Sequence, residues 1–137
     1  MTLKILSKEF YDTYAGCKEI LKKKNRPYAC ITITVDGLLF AIPFRHHIKH
    51  KHSFLTVDDA GLDYTKAVII IDENFLSDDK PTIESKEFSI IKKHEYKIIY
   101  GFKQYVNQYK RALRHKDNPR SANILKYSAL QYFEDYL

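Results

Sequence analysis

Apolar and β-branched residues fill two runs, Ala29–Val35 and Leu38–Pro43, separated only by Asp36-Gly37. Glycine accepts the positive φ that a tight type I′ turn demands, so the pair predicts a β-hairpin. Pro43 cannot donate to a ladder and predicts the end of the second strand. Upstream, Leu3–Leu6 predicts a short opening strand. Ser7 predicts the N-cap of a helix from Lys8 towards Lys23, interrupted near Gly16, with Phe10, Tyr14, Cys17, Ile20 and Leu21 as its apolar stripe. Pro27 closes the basic run that follows. Downstream, Ser53 to Tyr64 contains Asp58, Asp59 and Gly61 and reads as a loop. Lys66–Ile71 is a continuous β-branched run, the mark of a strand buried on both faces. Asp72 to Pro81 is a polar connection, Thr82–Glu84 a short returning strand, and Lys86 to Lys93 either a helix or an irregular segment.

From His94 the period becomes helical. Ile98, Phe102, Tyr105, Val106, Tyr109 and Leu113 recur every three or four residues to about Arg114. Asn118-Pro119 restarts a helix, a cap residue followed by a helix-compatible proline. That helix is expected to run to about Tyr136, with Ile124, Tyr127, Leu130 and Phe133 or Tyr132 inward. The expected fold class is α+β: a compact, strongly twisted, mostly antiparallel sheet with flanking helices.

The length of 137 residues fits one domain spanning 1–137 with a single core, and no internal repeat or linker divides it. Lys and Arg total 23 against 17 acids, a net charge of +6, which favours a polyanionic partner. The 11 Tyr and 8 Phe add rings able to stack on bases, although a core would absorb most of them. Cys17 and Cys30 form neither a disulfide framework nor a zinc motif. The N-terminus lacks the apolar region of a signal peptide, and no apolar run reaches membrane-spanning length. A reducing, cytoplasmic location without membrane attachment is the expectation.

Charge concentrates just beyond the hairpin. Arg45–His52 holds Arg45, Lys49, Lys51 and four of the six histidines, His46, His47, His50 and His52. His46 and His50 have the i,i+4 spacing of helical zinc ligands. No Cys or nearby carboxylate completes that set, however, and the neighbouring cations would repel a metal, so no metal or cofactor is expected. A solvated basic loop would explain the charge without chemistry. The alternative is metal-free phosphodiester cleavage, in which RNA supplies its own 2′-hydroxyl as nucleophile. The protein then needs a base, an acid and cations: histidine suits proton transfer with an unperturbed pKa near ~6.5, and Lys and Arg suit charge developing on phosphorus.

Other active-site classes are not suggested. The glycines are too scattered for a phosphate-cradling loop, and no Ser-His-Asp or Cys-His set stands out. Asp58, Asp59, Asp72 and Glu73 fit turn chemistry. Candidate RNA contacts are Lys22, Lys23, Lys24, His47, His50, Lys51, His52, Lys66, Lys103, Lys110 and Arg111. A charge run such as Lys22–Arg26 is also what a solvated helix end carries.

Three phrases, Asn25-Arg26-Pro27-Tyr28, Phe40-Ala41-Ile42-Pro43 and Gly61-Leu62-Asp63-Tyr64-Thr65-Lys66, carry a resemblance, together with Phe102-x-x-Tyr105-Val106 in the long helix. In this order along nearly the whole chain, they resemble the ToxN-like toxins, the endoribonucleases of type III toxin–antitoxin systems, and within them most closely the CptN and TenpN branches. The resemblance implies a compact, twisted antiparallel sheet flanked by helices. It implies metal-independent cleavage of cellular or phage RNA that leaves 2′,3′-cyclic phosphate ends. It also implies inhibition by a small structured, repeat-derived RNA antitoxin in a closed RNA–protein assembly, and a role in abortive infection.

In the family a Thr-Ser pair and a Lys form an anion pocket with a catalytic base. Carried over by position from Pro43, the pair falls on Arg45-His46 and the Lys within one position of Lys49, so the resemblance implies catalytic roles for Arg45, His46 and Lys49. A basic residue before the hairpin falls on Arg26, and a helix tyrosine on Tyr100. Replacing two hydroxyls by Arg45 and His46 departs from the family pattern. Phosphate binding survives the change, and proton transfer by His46 gains weight over the parent pattern. The runner-up reading is a non-catalytic basic RNA-binding domain.

Overall fold

A computed structural model describes residues 1–22 and 28–137. The candidates Lys23, Lys24 and Arg26 lie outside the described residues. The fold is α+β: every strand pairing is antiparallel, and helices flank the sheet.

The hairpin forms where the local pattern places it, from β2 (Ala29–Val35) and β3 (Leu38–Arg45). Asp36 and Gly37 have φ of 52° and 79°, the two positive values that a type I′ turn requires, and the register runs from Val35↔Leu38 to Cys30↔Pro43. β1 (Thr2–Ile5) adds on the outer side of β2.

β3 is the centre of the sheet, and Pro43 lies inside it rather than at its end. The other edge of β3 is shared by two short partners: β6 (Val68–Ile69) opposite Phe40 and Ala41, and β5 (Gly61–Asp63) opposite Phe44 and Arg45. The Leu39 carbonyl accepts from Ile70 N on this edge, so alternation turns the Pro43 nitrogen the same way, into the gap between the two partners. A missing N–H forfeits no ladder bond there, and the strand continues to Arg45.

The segment expected as a loop from Ser53 to Tyr64 is a second hairpin. β4 (Ser53–Leu55) pairs with β5 through Ser53↔Asp63, Phe54↔Leu62 and Leu55↔Gly61. Gly61 permits it, because a Cβ there would stand 2.1 Å from the Phe54 carbonyl oxygen. The run Lys66–Ile71 contributes only Val68–Ile69 as strand, although Ala67 to Ile70 are all buried. A 3₁₀ turn, Tyr64–Lys66, precedes it, started by Asp63, whose side chain accepts from Thr65 N.

α1 (Lys8–Thr13) has the expected Ser7 cap but stops ten residues short of the predicted end. Lys22 folds back and donates to the carbonyls of Tyr14, Cys17 and Ile20, at 3.0, 2.6 and 3.1 Å, satisfying the turns that replace further helix. Thr82–Glu84 is not a strand, and α2 (Ser85–Lys93) follows it directly. α3 (Glu95–Leu113) buries Ile98, Phe102, Tyr105, Val106 and Tyr109, as its periodicity predicts. Phe102 meets Phe40 of β3 edge-on at 5.0 Å between ring centroids. Gly101 makes room for Tyr64, whose hydroxyl donates to the Ile98 carbonyl at 3.0 Å and lies 2.9 Å from where a Cβ would stand. α4 (Pro119–Tyr127), capped by Asn118, ends at Ser128 instead of reaching Tyr136, and two 3₁₀ turns finish the chain. Ser128 Oγ accepts from Leu130 N and from Tyr105 Oη, a tertiary anchor that stops the helix. Leu130 and Phe133 are buried as expected, whereas Tyr127 is exposed.

Candidate functional site

The two hairpins bring the end of β3 against the end of β5, with Arg45 directly opposite Gly61. Asp63, two residues on, is fully buried. Its Oδ2 accepts from Arg45 Nη1 at 2.8 Å, and its Oδ1 accepts from Thr65 N and Thr65 Oγ1 at 3.0 and 2.6 Å. His50 Nε2 stands 3.1 Å from the same Oδ1. A buried carboxylate is retained only with such compensation, and here one guanidinium and the Thr65 donors supply it. The Arg45 side chain keeps 34% of its surface exposed, so a guanidinium pinned from below presents its remaining donors to solvent.

The neighbouring histidines are differentiated by their surroundings. His50 Nδ1 accepts the backbone N–H of His52 at 3.2 Å, so the proton of the neutral ring sits on Nε2, facing Asp63. Both nitrogens of His50 are therefore engaged. The His52 ring lies 6.2 Å from that of His50 and 5.4 Å from that of Tyr105, half-buried against α3. Burial, then the positive charge of Lys51, then His50 hold its pKa below the ordinary 6.5, with Asp63 pulling the other way. At neutral pH His52 is a neutral imidazole able to accept a proton. Burial pushes the Tyr105 phenol far up, and its hydroxyl donates to Ser128 Oγ at 2.7 Å, so this ring is a wall and not a titrating group.

The other candidates separate into distinct places. His46, His47 and Lys49 lie on the exposed connection between β3 and β4, which the buried Ile48 fastens down through its N–H to the Asp59 carbonyl. His47 Nδ1 and Lys49 Nζ face Asp59 Oδ2 at 3.3 and 3.7 Å, so these two side chains turn towards the β4–β5 turn. Lys51 is exposed beside His52, and Tyr100, on α3, is 57% exposed. Lys103 and Arg111 are exposed, and Lys110 half-buried.

Two candidates for RNA contact need correction. Lys66 Nζ is turned inward between Glu19 Oε2 and the Tyr127 carbonyl at 3.4 and 3.3 Å, with only 16% of its side chain exposed. Lys22 is committed to the three carbonyls beyond α1. Both ammonium groups serve the chain's own backbone and carboxylates.

Arg45, His50 and His52 thus converge, and Asp63, Thr65 and Tyr105 join them unforeseen. Asp63 had a local signal: an acid between the apolar Leu62 and Tyr64, followed by Thr65 at the spacing of an Asx turn. Tyr105 carried none, because it fits the apolar stripe of its helix. Among the described residues, no three His, Cys, Asp or Glu side chains are grouped so as to hold a metal ion.

Comparison with protein-family models, with curated proteins and with solved structures finds no match. A pinned guanidinium, with a half-buried imidazole reached from it through Asp63 and His50, suits an anion that must lose a proton nearby. No helix among the described residues is long and apolar enough to cross a membrane.

Proposed function

We propose that the chain is a metal-independent endoribonuclease, the toxin of a type III toxin–antitoxin system of the ToxN-like kind, held inactive by a structured RNA antitoxin. The observation that carries the reading is the row Arg45–Asp63–His50–His52. Asp63 holds Arg45 at 2.8 Å and faces His50 at 3.1 Å, and the His52 ring, kept neutral by burial and Lys51, lies 6.2 Å from that of His50. The net charge of +6 and the resemblance in the three sequence phrases add to it.

In this reading His52 takes the proton from the ribose 2′-hydroxyl, whose oxygen attacks phosphorus. The P–O5′ bond breaks, and the departing oxygen takes a proton from a rim imidazole, for which His46, next to Arg45, is the candidate. Arg45 stabilises the charge developing on the phosphoryl oxygens, with Lys51 at the rim. The products are a 2′,3′-cyclic phosphate and a 5′-hydroxyl. His50 and Asp63 orient the site and transfer no proton. The antitoxin would occupy the same face in a closed RNA–protein assembly in the cytoplasm.

The test is incubation of purified protein with a single-stranded RNA in excess EDTA, with mass spectrometry of the fragment ends. Cyclic phosphate ends that disappear when a 2′-deoxy nucleotide replaces the one at the cut support the reading. Intact RNA, or 3′-hydroxyl ends that require Mg²⁺, would overturn it.

A further inference from the structure

The side of α3 turned away from the sheet carries a second feature. From Tyr96 to Lys116 the chain contains no Asp or Glu, but it holds Lys97, Lys103, Lys110, Arg111, Arg114 and Lys116. At about 100° per residue, Tyr96, Tyr100, Lys103, Asn107, Arg111 and Arg114 fall within roughly 80° of one another, opposite the stripe that buries Ile98, Phe102 and Tyr109. All six are exposed, Tyr96 at 85% and Tyr100 at 57%. At about 1.5 Å per residue the strip is about 27 Å long.

A solvated helix face is normally laced with opposite charges. α1 carries such a pair, Lys8 with Asp12 at i,i+4. Among the described residues, none of the cations of the strip forms a salt bridge. The helix dipole favours Lys110, Arg111 and Arg114 near the C-terminus, but it offers nothing to Lys103 and works against Lys97 in the first turn. Two tyrosines one turn apart leave their rings in water beside this charge. Cations supply attraction for a phosphate backbone, and exposed rings supply stacking faces, which paired bases cannot use because they are already stacked.

We propose that this strip binds single-stranded RNA, with unpaired bases on Tyr96 and Tyr100 and the backbone running along Lys103, Arg111 and Arg114. It deepens the reading above, on which the identification of the polyanion as RNA rests. The strip lies on the opposite side of α3 from Tyr105 and His52, so it would hold RNA away from the cleavage site: a second contact for an antitoxin or a long substrate.

The probe is a fluorescein-labelled, uncleavable 2′-O-methyl uridine 12-mer, titrated by anisotropy over a series of KCl concentrations in EDTA. Wild-type protein should bind it with a log–log salt slope of about −0.7 per phosphate neutralised. Tyr96→Ala with Tyr100→Ala should weaken binding roughly tenfold or more. Tyr96→Phe with Tyr100→Phe should retain it, with thermal melts showing all variants folded. Arg111→Gln with Arg114→Gln should flatten the slope. Unchanged affinity in the double alanine variant, or tighter binding of the same strand in a duplex, would overturn the proposal. Binding as predicted with no cleavage of natural RNA would overturn the nuclease reading alone.

Discussion

Asp63→Asn is the substitution that most sharply probes how the site is held. The amide keeps an oxygen for Thr65 N and Oγ1 but places an NH₂ group against Arg45 Nη1, 2.8 Å away in the native protein. Removing one partner of a fully buried pair costs about 3–5 kcal/mol. Arg45 keeps 34% of its side chain exposed and can rehydrate, which lowers the expected loss to about 2–3 kcal/mol. Arg45→Met should cost a similar amount, because it strips the buried carboxylate of its strongest partner. The double variant removes both charges and leaves neither stranded, so the two losses should fall short of their sum by about 1–2 kcal/mol. Urea denaturation of the four proteins measures this, provided that the m-values agree. Additivity within about 0.5 kcal/mol would show that Asp63 does not hold Arg45, and the account of the site would fail.

His52 should make stability pH-dependent. Its folded pKa lies below the ordinary 6.5, so in that window the unfolded chain binds the extra proton. The contribution of the neutral ring is then fully present above 6.5 and is lost as pH falls through the folded value. His52→Gln should flatten this limb of a denaturation series from pH 7.5 to 5, and an unchanged slope would contradict the assignment. Gly61→Ala should cost about 2–3 kcal/mol of unfolding free energy, since the added Cβ meets the Phe54 carbonyl oxygen at 2.1 Å. Phe102→Ala, which empties a fully buried position against Phe40, should cost about 3–5 kcal/mol by the same measurement.

What could be read from the chain follows the range of the forces involved. The β2–β3 hairpin and α3 declare themselves because Asp36-Gly37 and the spacing from Ile98 to Tyr109 act within a few residues. The β4–β5 hairpin does not, because each strand is three residues long and shows no period; its pairing rests on Gly61 passing close to Phe54. Helix ends depart from the local pattern where a distant group intervenes: Lys22 beyond α1, and Ser128, held by Tyr105, beyond α4. The same division applies to the candidate site. Arg45, His50 and His52 stand out by composition, but their partner Asp63 arrives through the second hairpin and Tyr105 through the packing of α3. Lys66 looked like a surface cation because its partner Glu19 lies 47 residues away in sequence.

In the proposed mechanism His52 is the base of a cleavage site built on Arg45 and Asp63. The most direct measurement is the single-turnover rate of RNA cleavage in EDTA against pH, for wild type and His52→Gln side by side. The account predicts a wild-type rate that rises with pH along a limb centred below 6.5. It predicts that in the variant this limb is gone and the rate is lower by about 10²–10⁴-fold. A His52→Gln protein that cleaves at the wild-type rate with the same pH profile would contradict it.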